Sequence, residues 1–489
     1  MKTNILMVYP KTDLDKKGNS VGIPMSILYA ISGFDKNKFQ LDIIDQRVDT
    51  EWEKHLQHLL RKKDYLCVGI SAMTGSQIKW ALGAAKIIRK LNPNIKLVFG
   101  GVHPTICPEQ TIMHPLVDII ILGDAEETFI KLADLLKNKK SLDKLKGIVY
   151  KKNGKIVNTG QSEMIELDAF PEPDYSLVNV NNYFLNLYNT KKALSLVTGR
   201  GCPHRCAFCY NPIFNKRRWR YLSVDNIIKR MKHLKYLGAQ SIDIVDDNFF
   251  TDMNRVKEFC RRAKEEKLGL KFVVNCRADY VARFDDEFLK LLYDTGFREF
   301  YVGIESGSQK TLNHIKKDIT LEQIFLCNKK LKKCGIAPIY SFMAGFPGES
   351  FEDIKETICV MMKLLRENPS ISLTSLKIYT PFPGSELFEE CVKQGLKIPK
   401  SFEDWSNFSY NSSSYEWRSK KMNDLLKKLS YITYFLDQKT MAEHLAKNKP
   451  MLRFFIRTYG KIVWFRCKIG FYRFLPEVYL MEKLKKFVE

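Results

Sequence analysis

Cys202, Cys206 and Cys209 stand at C-x3-C-x2-C spacing within TGRGCPHRCAFCYNP. Three thiolates spaced this way can hold three irons of a cubane cluster and leave the fourth iron without a protein ligand. An open metal position is what separates a reactive site from a closed structural one. Zinc is the other occupant, with His204 as a fourth ligand. Zinc knuckles, however, pair two short Cys/His motifs, and no second motif is present. The other nine cysteines (Cys67, Cys107, Cys260, Cys276, Cys327, Cys334, Cys359, Cys391 and Cys467) are scattered and read as small core residues. The start, MKTNILMVYPKTD, carries no secretory pattern, and no apolar run reaches the roughly 18 residues of a membrane span. A reduced, cytoplasmic setting is therefore expected, and a disulfide framework is not.

The cysteines need a scaffold, and 489 residues predict two to four domains. Hydrophobic residues at 45% and charged residues at 27% are ordinary globular usage, which excludes a largely disordered chain. Short apolar runs at 5–9, 41–45, 66–71, 96–100 and 118–122 alternate with helical patterns such as 76–90. Strand–helix alternation with nearly all-apolar strands predicts an α/β fold: a doubly wound parallel sheet of the flavodoxin-like kind over 1–145. Its ligand belongs beyond the C-terminal ends of the strands. Over 146–190, GIVY and KIVNT predict a hairpin turning on Asn153-Gly154, and AFPEPD at 169–174 reads as a linker. A second alternation, with strands at 194–198, 241–245, 271–274, 300–304, 339–343 and 375–379, predicts a partial (β/α)6 barrel of the TIM type over 191–404. The cysteine motif follows its first strand, at the end where such folds do chemistry. Residues 405–489 read as a basic, aromatic-rich helical region.

With Phe208 before the last cysteine and Tyr210 after it, the motif resembles that of the radical S-adenosylmethionine (SAM) superfamily. The resemblance implies a [4Fe–4S] cluster on Cys202, Cys206 and Cys209, which also makes them the catalytic cysteines. It further implies SAM on the open iron, a reducing electron donor, and a 5′-deoxyadenosyl radical that attacks unactivated carbon. Further contacts to SAM are implied at strand ends. DIVDDNF supplies Asp246, Asp247 and Asn248 toward the amino group, and VNCRAD supplies Asn275 and Arg277 toward the carboxylate. YVGIESGS supplies Gly303, Glu305 and Ser306 at the ribose, and AGFPGES supplies Gly345 at the adenine. As residues alone, the acids could instead be helix caps, and Arg277 equally a surface salt-bridge partner.

The N-terminal segment and YTPFPGSEL at 379–387 resemble radical SAM proteins that carry a cobalamin-binding domain. SAMTG brings Ser71; FGGVHPT brings Gly100, Gly101 and His103; LGDAEETF follows the fifth strand. Paired glycines at a strand end let a bulky planar ligand approach the backbone. The D-x-H-x-x-G motif is absent where KTDLDKKGN stands, leaving His103 as the nearest histidine. If cobalamin binds, the resemblance implies a methyl carrier and C-methylation of an unactivated carbon. The alternatives are a cobalamin-independent radical SAM enzyme performing oxidative cyclisation or rearrangement, and a metal-stabilised nucleic-acid-binding protein. Methylthiolation of tRNA needs three further N-terminal cysteines, and only Cys67 and Cys107 precede the motif.

The net charge is +24, which favours an anionic partner. Residues 415–489 hold 17 Lys+Arg against 7 Asp+Glu, and 452–474 hold six basic residues and no acid. Arg453, Arg457 and Lys461 share a helix face, and Phe454, Phe455, Tyr459, Trp464, Phe465, Phe471 and Tyr472 add apolar area. That pairing suits a helix lying in an anionic membrane interface, at the inner face, and a lipid-like rather than only a small polar substrate. The alternatives are a helical cap over the barrel and stacking on single-stranded nucleic acid, the latter an unfavoured partner. Gly460 and Gly470 argue against one unbroken helix there.

Overall fold

The computed structural model describes residues 2–12, 14–15, 20–187, 190–408, 412, 415–445 and 450–472. Part of KTDLDKKGN, the Phe455 side chain and residues 473–489 of the basic tail lie outside the described residues. Two compact units emerge. One gathers Met1–Cys202, Ile213–Asp246 and Ile398–Ser409; the other gathers Pro203–Pro212, Asp247–Lys397 and Tyr410–Glu489.

In the first unit, strands β1 (Thr3–Tyr9), β2 (Phe39–Asp45), β3 (Tyr65–Ser71), β4 (Lys96–Gly100) and β5 (Ile119–Ile121) pair in parallel. They are extended by β6 (Ile148–Lys152) and β7 (Lys155–Asn158), giving the order β2-β1-β3-β4-β5-β6-β7. The first five follow the flavodoxin-like 2-1-3-4-5 order, whose switch point lies between β1 and β3. Ile5, Val8, Cys67, Val68, Leu97 and Phe99 are fully excluded from water or nearly so, because both sheet faces are covered. The expected hairpin is present: β6 and β7 are antiparallel, and Asn153 and Gly154 both take positive φ (50° and 76°), as a two-residue turn of matching twist requires. The same unit holds β8 (Ala193–Leu196), β9 (Gly199–Arg200), β10 (Arg220–Tyr221) and β11 (Ser241–Ile244). Of these, β8 and β11 pair in parallel and β9 and β10 antiparallel.

In the second unit β12 (Lys271–Cys276), β13 (Phe297–Glu305) and β14 (Ala337–Ala344) run parallel, and β14 also pairs with β15 (Ser372–Leu373) and β16 (Lys377–Ile378). The strand expected at 375–379 is thus two short pieces. The Leu373 N–H donates to Asp437 Oδ2 (2.8 Å) and the Leu376 N–H to Thr433 Oγ1 (2.9 Å), so side chains from the C-terminal region take bonds that a longer ladder would use. Phe249, Phe250, Phe259, Phe272, Phe297 and Phe300 are buried to 1% or less, with centroid separations of 5.2 Å for Phe272–Phe297 and 5.4 Å for Phe250–Phe300. Such ring pairs add about 0.5–1.5 kcal/mol each beyond area burial. Helices leave the strands through caps: Thr320 with Gln323, and Ser350 with Asp353, close reciprocal capping boxes.

The basic tail forms one helix, Pro450–Ile469, unbroken at Gly460. A Cβ at Gly460 would stand 2.5 Å from Gln438 Cγ, so close helix packing explains that glycine. Gly470, at φ 69°, ends the helix. Among the scattered cysteines, Cys67, Cys260, Cys276, Cys327, Cys391 and Cys467 are buried as expected; Cys107 and Cys334 are half-buried, and Cys359 is exposed.

Candidate active site

The chain reaches Cys202 through Gly201, whose φ of 87° and closeness to the Arg218 carbonyl oxygen leave no room for a Cβ. Cys202, Cys206 and Cys209 are half-buried thiols outside any disulfide. Two of these sulfurs accept N–H groups: Cys209 Sγ from the Asn211 backbone at 3.4 Å and Cys206 Sγ from Arg277 Nη1 at 3.8 Å. Donors aimed at sulfur suit thiolates, so the donor set fits an iron–sulfur cluster. Among the described residues no group of three His, Cys, Asp or Glu could hold a single metal ion. A cubane asks each thiolate for a different iron and does not need them to converge on one point. His204 Nε2 lies 3.1 Å from the Tyr280 hydroxyl, and burial followed by the Arg277 charge pulls its pKa down to about 4.

A cavity of about 300 Å³ opens among the ends of the second unit's strands. It is lined by Asp247, Asn248, Asn275, Arg277, Tyr301, Lys317 and Ser341. Its size and its few convergent polar groups fit a nucleoside-sized ligand such as SAM. Asp247, Asn275 and Arg277, three of the sequence candidates, are among its lining residues. Burial, and then the Asp247 carboxylate, push the Tyr210 phenol above its usual value. Phe208 packs on Phe346 at 6.0 Å, joining the cysteine loop to the turn after β14.

Several of the candidates make contacts within the protein. Asp246 is buried, with Oδ1 accepting from the Thr198 N–H and Oδ2 from the Thr198 hydroxyl, both at 2.6 Å. Ser306 is fully buried beside Thr357 Oγ1 (3.1 Å) and accepts the Ser308 N–H. Arg277 donates Nε to Asp279 Oδ1 (2.8 Å) and Nη2 to the Lys317 carbonyl (2.6 Å), besides its bond to Cys206. Glu305 Oε1 accepts from Lys317 Nζ at 2.9 Å. With φ at 71°, Glu305 is a left-handed non-glycine residue at a bulge in the β13–β14 pairing, the kind of strain that concentrates at functional sites. Gly345 touches Arg418: a Cβ there would stand 2.5 Å from Nη1. Its N–H and that of Phe346 bond Glu349 Oε2.

Lys317, Tyr301 and Ser341 went unread in the sequence. The signal was available for two of them. Tyr301 and Ser341 are half-exposed polar positions inside otherwise buried strands, the alternation expected where a strand faces a cavity.

In the first unit, Ser71, Gly100 and Gly101 stand at the ends of β3 and β4, with the Ala72 N–H donating to the Gly100 carbonyl at 2.9 Å. A Cβ on Gly100 would meet nothing within 4 Å, whereas Gly101 (φ 103°) lies against the Ala72 carbonyl. This open glycine edge beside the β1/β3 switch point fits the close approach of a planar ligand. His103 is fully buried. Its Nδ1 lies 2.8 Å from Thr74 Oγ1, Phe402 and Trp405 pack on its ring, and Nε2 has no hydrogen-bond partner among the described residues. Burial pulls its pKa down to about 3, so the ring is neutral.

Two parallel α/β sheets, a three-cysteine loop and a polar cavity at strand ends define an iron–sulfur α/β enzyme fold. Residues 196–358 match the radical SAM superfamily, and residues 14–133 match the B12 binding domain. The chain thus carries a radical SAM domain preceded by a B12-binding domain. It is 29% identical to the Uncharacterized methyltransferase PH0819 of Pyrococcus horikoshii, over 93% of this chain and 98% of that one. To the Cytidylyl-2-hydroxyethylphosphonate methyltransferase of Streptomyces wedmorensis it is 26% identical, over 77% and 79%. Two solved structures share the fold. The cobalamin-dependent SAM radical enzyme OxsB, with aqua-cobalamin and SAM bound, gives a TM-score of 0.77 at 18% identity, covering 100% of this chain and 75% of that one. The SAM methyltransferase TsrM from Kitasatospora setae, with tryptophan and aza-SAM bound, gives 0.65 at 17% identity, covering 81% and 78%.

Proposed function

We propose that this protein is a cobalamin-dependent radical SAM C-methyltransferase acting on an unactivated carbon of a small-molecule or lipid-like substrate. When bound, the [4Fe–4S] cluster with SAM supplies a 5′-deoxyadenosyl radical and cobalamin supplies a methyl group. Cys202, Cys206 and Cys209 hold the cluster. Asp247 and Asn275, on the cavity, orient SAM, and Glu305, fixed by Lys317, accepts ribose hydroxyls; Gly345 packs the turn after β14 against Arg418. Asp246 and Ser306 hold the strand ends that carry these groups. Ser71, Gly100 and Gly101 form the cobalamin edge, with His103 packed behind it. The working domains run 1–145, 146–190, 191–404 and 405–489.

The observation that carries this reading is Cys206 Sγ, which accepts from an arginine that lines a polar cavity of nucleoside size. The test is anaerobic reconstitution with iron, sulfide, hydroxocobalamin, SAM and a reductant. Brown protein with inorganic sulfide, a bound corrinoid spectrum, 5′-deoxyadenosine and a mass gain of one methylene in an acceptor from cell extract are expected. Colourless, sulfide-free protein overturns the reading. Deoxyadenosine without bound corrinoid selects the cobalamin-independent alternative.

No helix among the described residues is long and apolar enough to cross a membrane. A peripheral contact is supported by the helix Pro450–Ile469, where Met451 and Phe454 near its start and Ile462, Phe465 and Ile469 near its end are 50–86% exposed. On the opposite side Ile456, Val463 and Cys467 are buried. Basic side chains beside the exposed stripe suit an anionic lipid surface.

A further inference from the structure

The family resemblance implies Arg277 at the carboxylate of SAM; its surroundings point to another task. The guanidinium is nearly buried and spends its three nitrogens on protein acceptors: Nε on Asp279 Oδ1, Nη2 on the Lys317 carbonyl and Nη1 on Cys206 Sγ at 3.8 Å. A fork fixed at two corners cannot swing, so the third corner stays on the sulfur. We infer that Arg277 is a positioning and tuning residue for the cluster, raising its reduction potential through Cys206, and that Asp279 limits the effect. This rests on Cys206 being a cluster ligand.

The physical argument is electrostatic. One-electron reduction takes the cluster from [4Fe–4S]2+ to [4Fe–4S]1+, adding one negative charge shared over iron and sulfur. An N–H donor and a positive charge beside a ligating sulfur stabilise that added charge and raise the potential. Little water reaches the guanidinium to screen it. The Asp279 carboxylate, 2.8 Å from Nε and also 3.3 Å from Arg283 Nη2, opposes part of that positive field. The two residues therefore act on the same electron with opposite signs, and a purely structural pair has no reason to do so.

The experiment is an EPR-monitored redox titration of the reconstituted full-length protein without SAM, using titanium(III) citrate as reductant, with iron and sulfide measured for every variant. Arg277→Gln is expected to move the midpoint to more negative potential and Asp279→Asn to more positive potential, each at wild-type cluster content. Arg277→Lys, which keeps the charge and loses the fork, falls between wild type and Arg277→Gln. SAM affinity is read separately in Arg277→Gln. An unmoved midpoint in that variant at full cluster content overturns the inference, as does loss of SAM binding with an unmoved midpoint, which returns Arg277 to the SAM carboxylate. Should Arg277→Gln fail to fold, Asp279→Asn decides alone: no shift, or a negative one, overturns it. A wild-type protein that takes up no cluster instead overturns the underlying enzyme reading.

Discussion

Arg200, two residues before Cys202, donates Nη1 to Asp124 Oδ1 at 2.9 Å, tying the strand that leads into the cysteine motif to the loop after β5. Glu126 Oε1 accepts from Arg200 Nη2 at 2.6 Å, and Arg220 completes the group by bonding Asp124 Oδ2. Asp124 and Glu126 of LGDAEETF are thus engaged by two arginines. Breaking one member of a buried ion group leaves the others uncompensated. Asp124→Asn is therefore expected to cost about 3–5 kcal/mol, read by urea unfolding, and to lower the cluster content of reconstituted protein.

Gly201 gives a second handle on the same strand end. Its positive φ and the nearby Arg218 carbonyl mean that Gly201→Ala must strain the backbone or shift it. Strain of this kind costs about 1–3 kcal/mol. A lower melting temperature with a matching loss of bound iron is expected. Retention of both would show that the turn before Cys202 adapts freely.

Cys206→Ala should abolish 5′-deoxyadenosine formation under dithionite, because the cluster loses a ligand and the sulfur that Arg277 bonds. Cys359→Ala, at an exposed cysteine outside the motif, should leave it unchanged. Product chromatography reads both.

Much of this was legible in the sequence, for local reasons. Asn153-Gly154 announces its own turn, and the apolar runs of β1 to β5 announce buried parallel strands. The cysteine spacing needs no tertiary information. What was not legible depends on distant partners. Arg277 chooses between SAM, solvent and protein according to where Cys206 and Lys317 arrive, 71 and 40 residues away in the chain. The split between β15 and β16 is likewise imposed by Thr433 and Asp437. Gly460 looked like a helix breaker because nothing local reveals Gln438 pressed against it.

Glu349 should make stability fall with rising pH. Its carboxyl is sealed, with Oε1 buried and without a partner, and burial pushes its pKa up to about 8 despite the two N–H bonds to Oε2. Between the ordinary value near 4.5 and about 8, the folded state holds a proton that the unfolded chain releases. The group's stabilising contribution is complete below that window and is lost as pH rises through it, at up to about 1.4 kcal/mol per pH unit. Glu349→Gln mimics the protonated form and should flatten the slope. Chemical denaturation from pH 5 to pH 8 measures it.

The exposed stripe on Pro450–Ile469 makes the membrane reading testable apart from catalysis. A phenylalanine transferred from water into an apolar setting gains about 1.5–3 kcal/mol, so Phe454 and Phe465, at 73% and 63% exposure, are the strongest anchors available. Arg457 and Lys461 are exposed on the same helix and add attraction that salt screens. Co-sedimentation should therefore be strong with phosphatidylglycerol-containing vesicles, weak with pure phosphatidylcholine, and reduced by added salt. The Phe454→Ser/Phe465→Ser double variant should lose most of the binding while keeping wild-type deoxyadenosine formation, because neither side chain touches the strand-end cavity. Equal binding of the double variant and the wild type would move the contact elsewhere on this basic surface, whereas no binding by the wild type would leave the stripe to a protein partner.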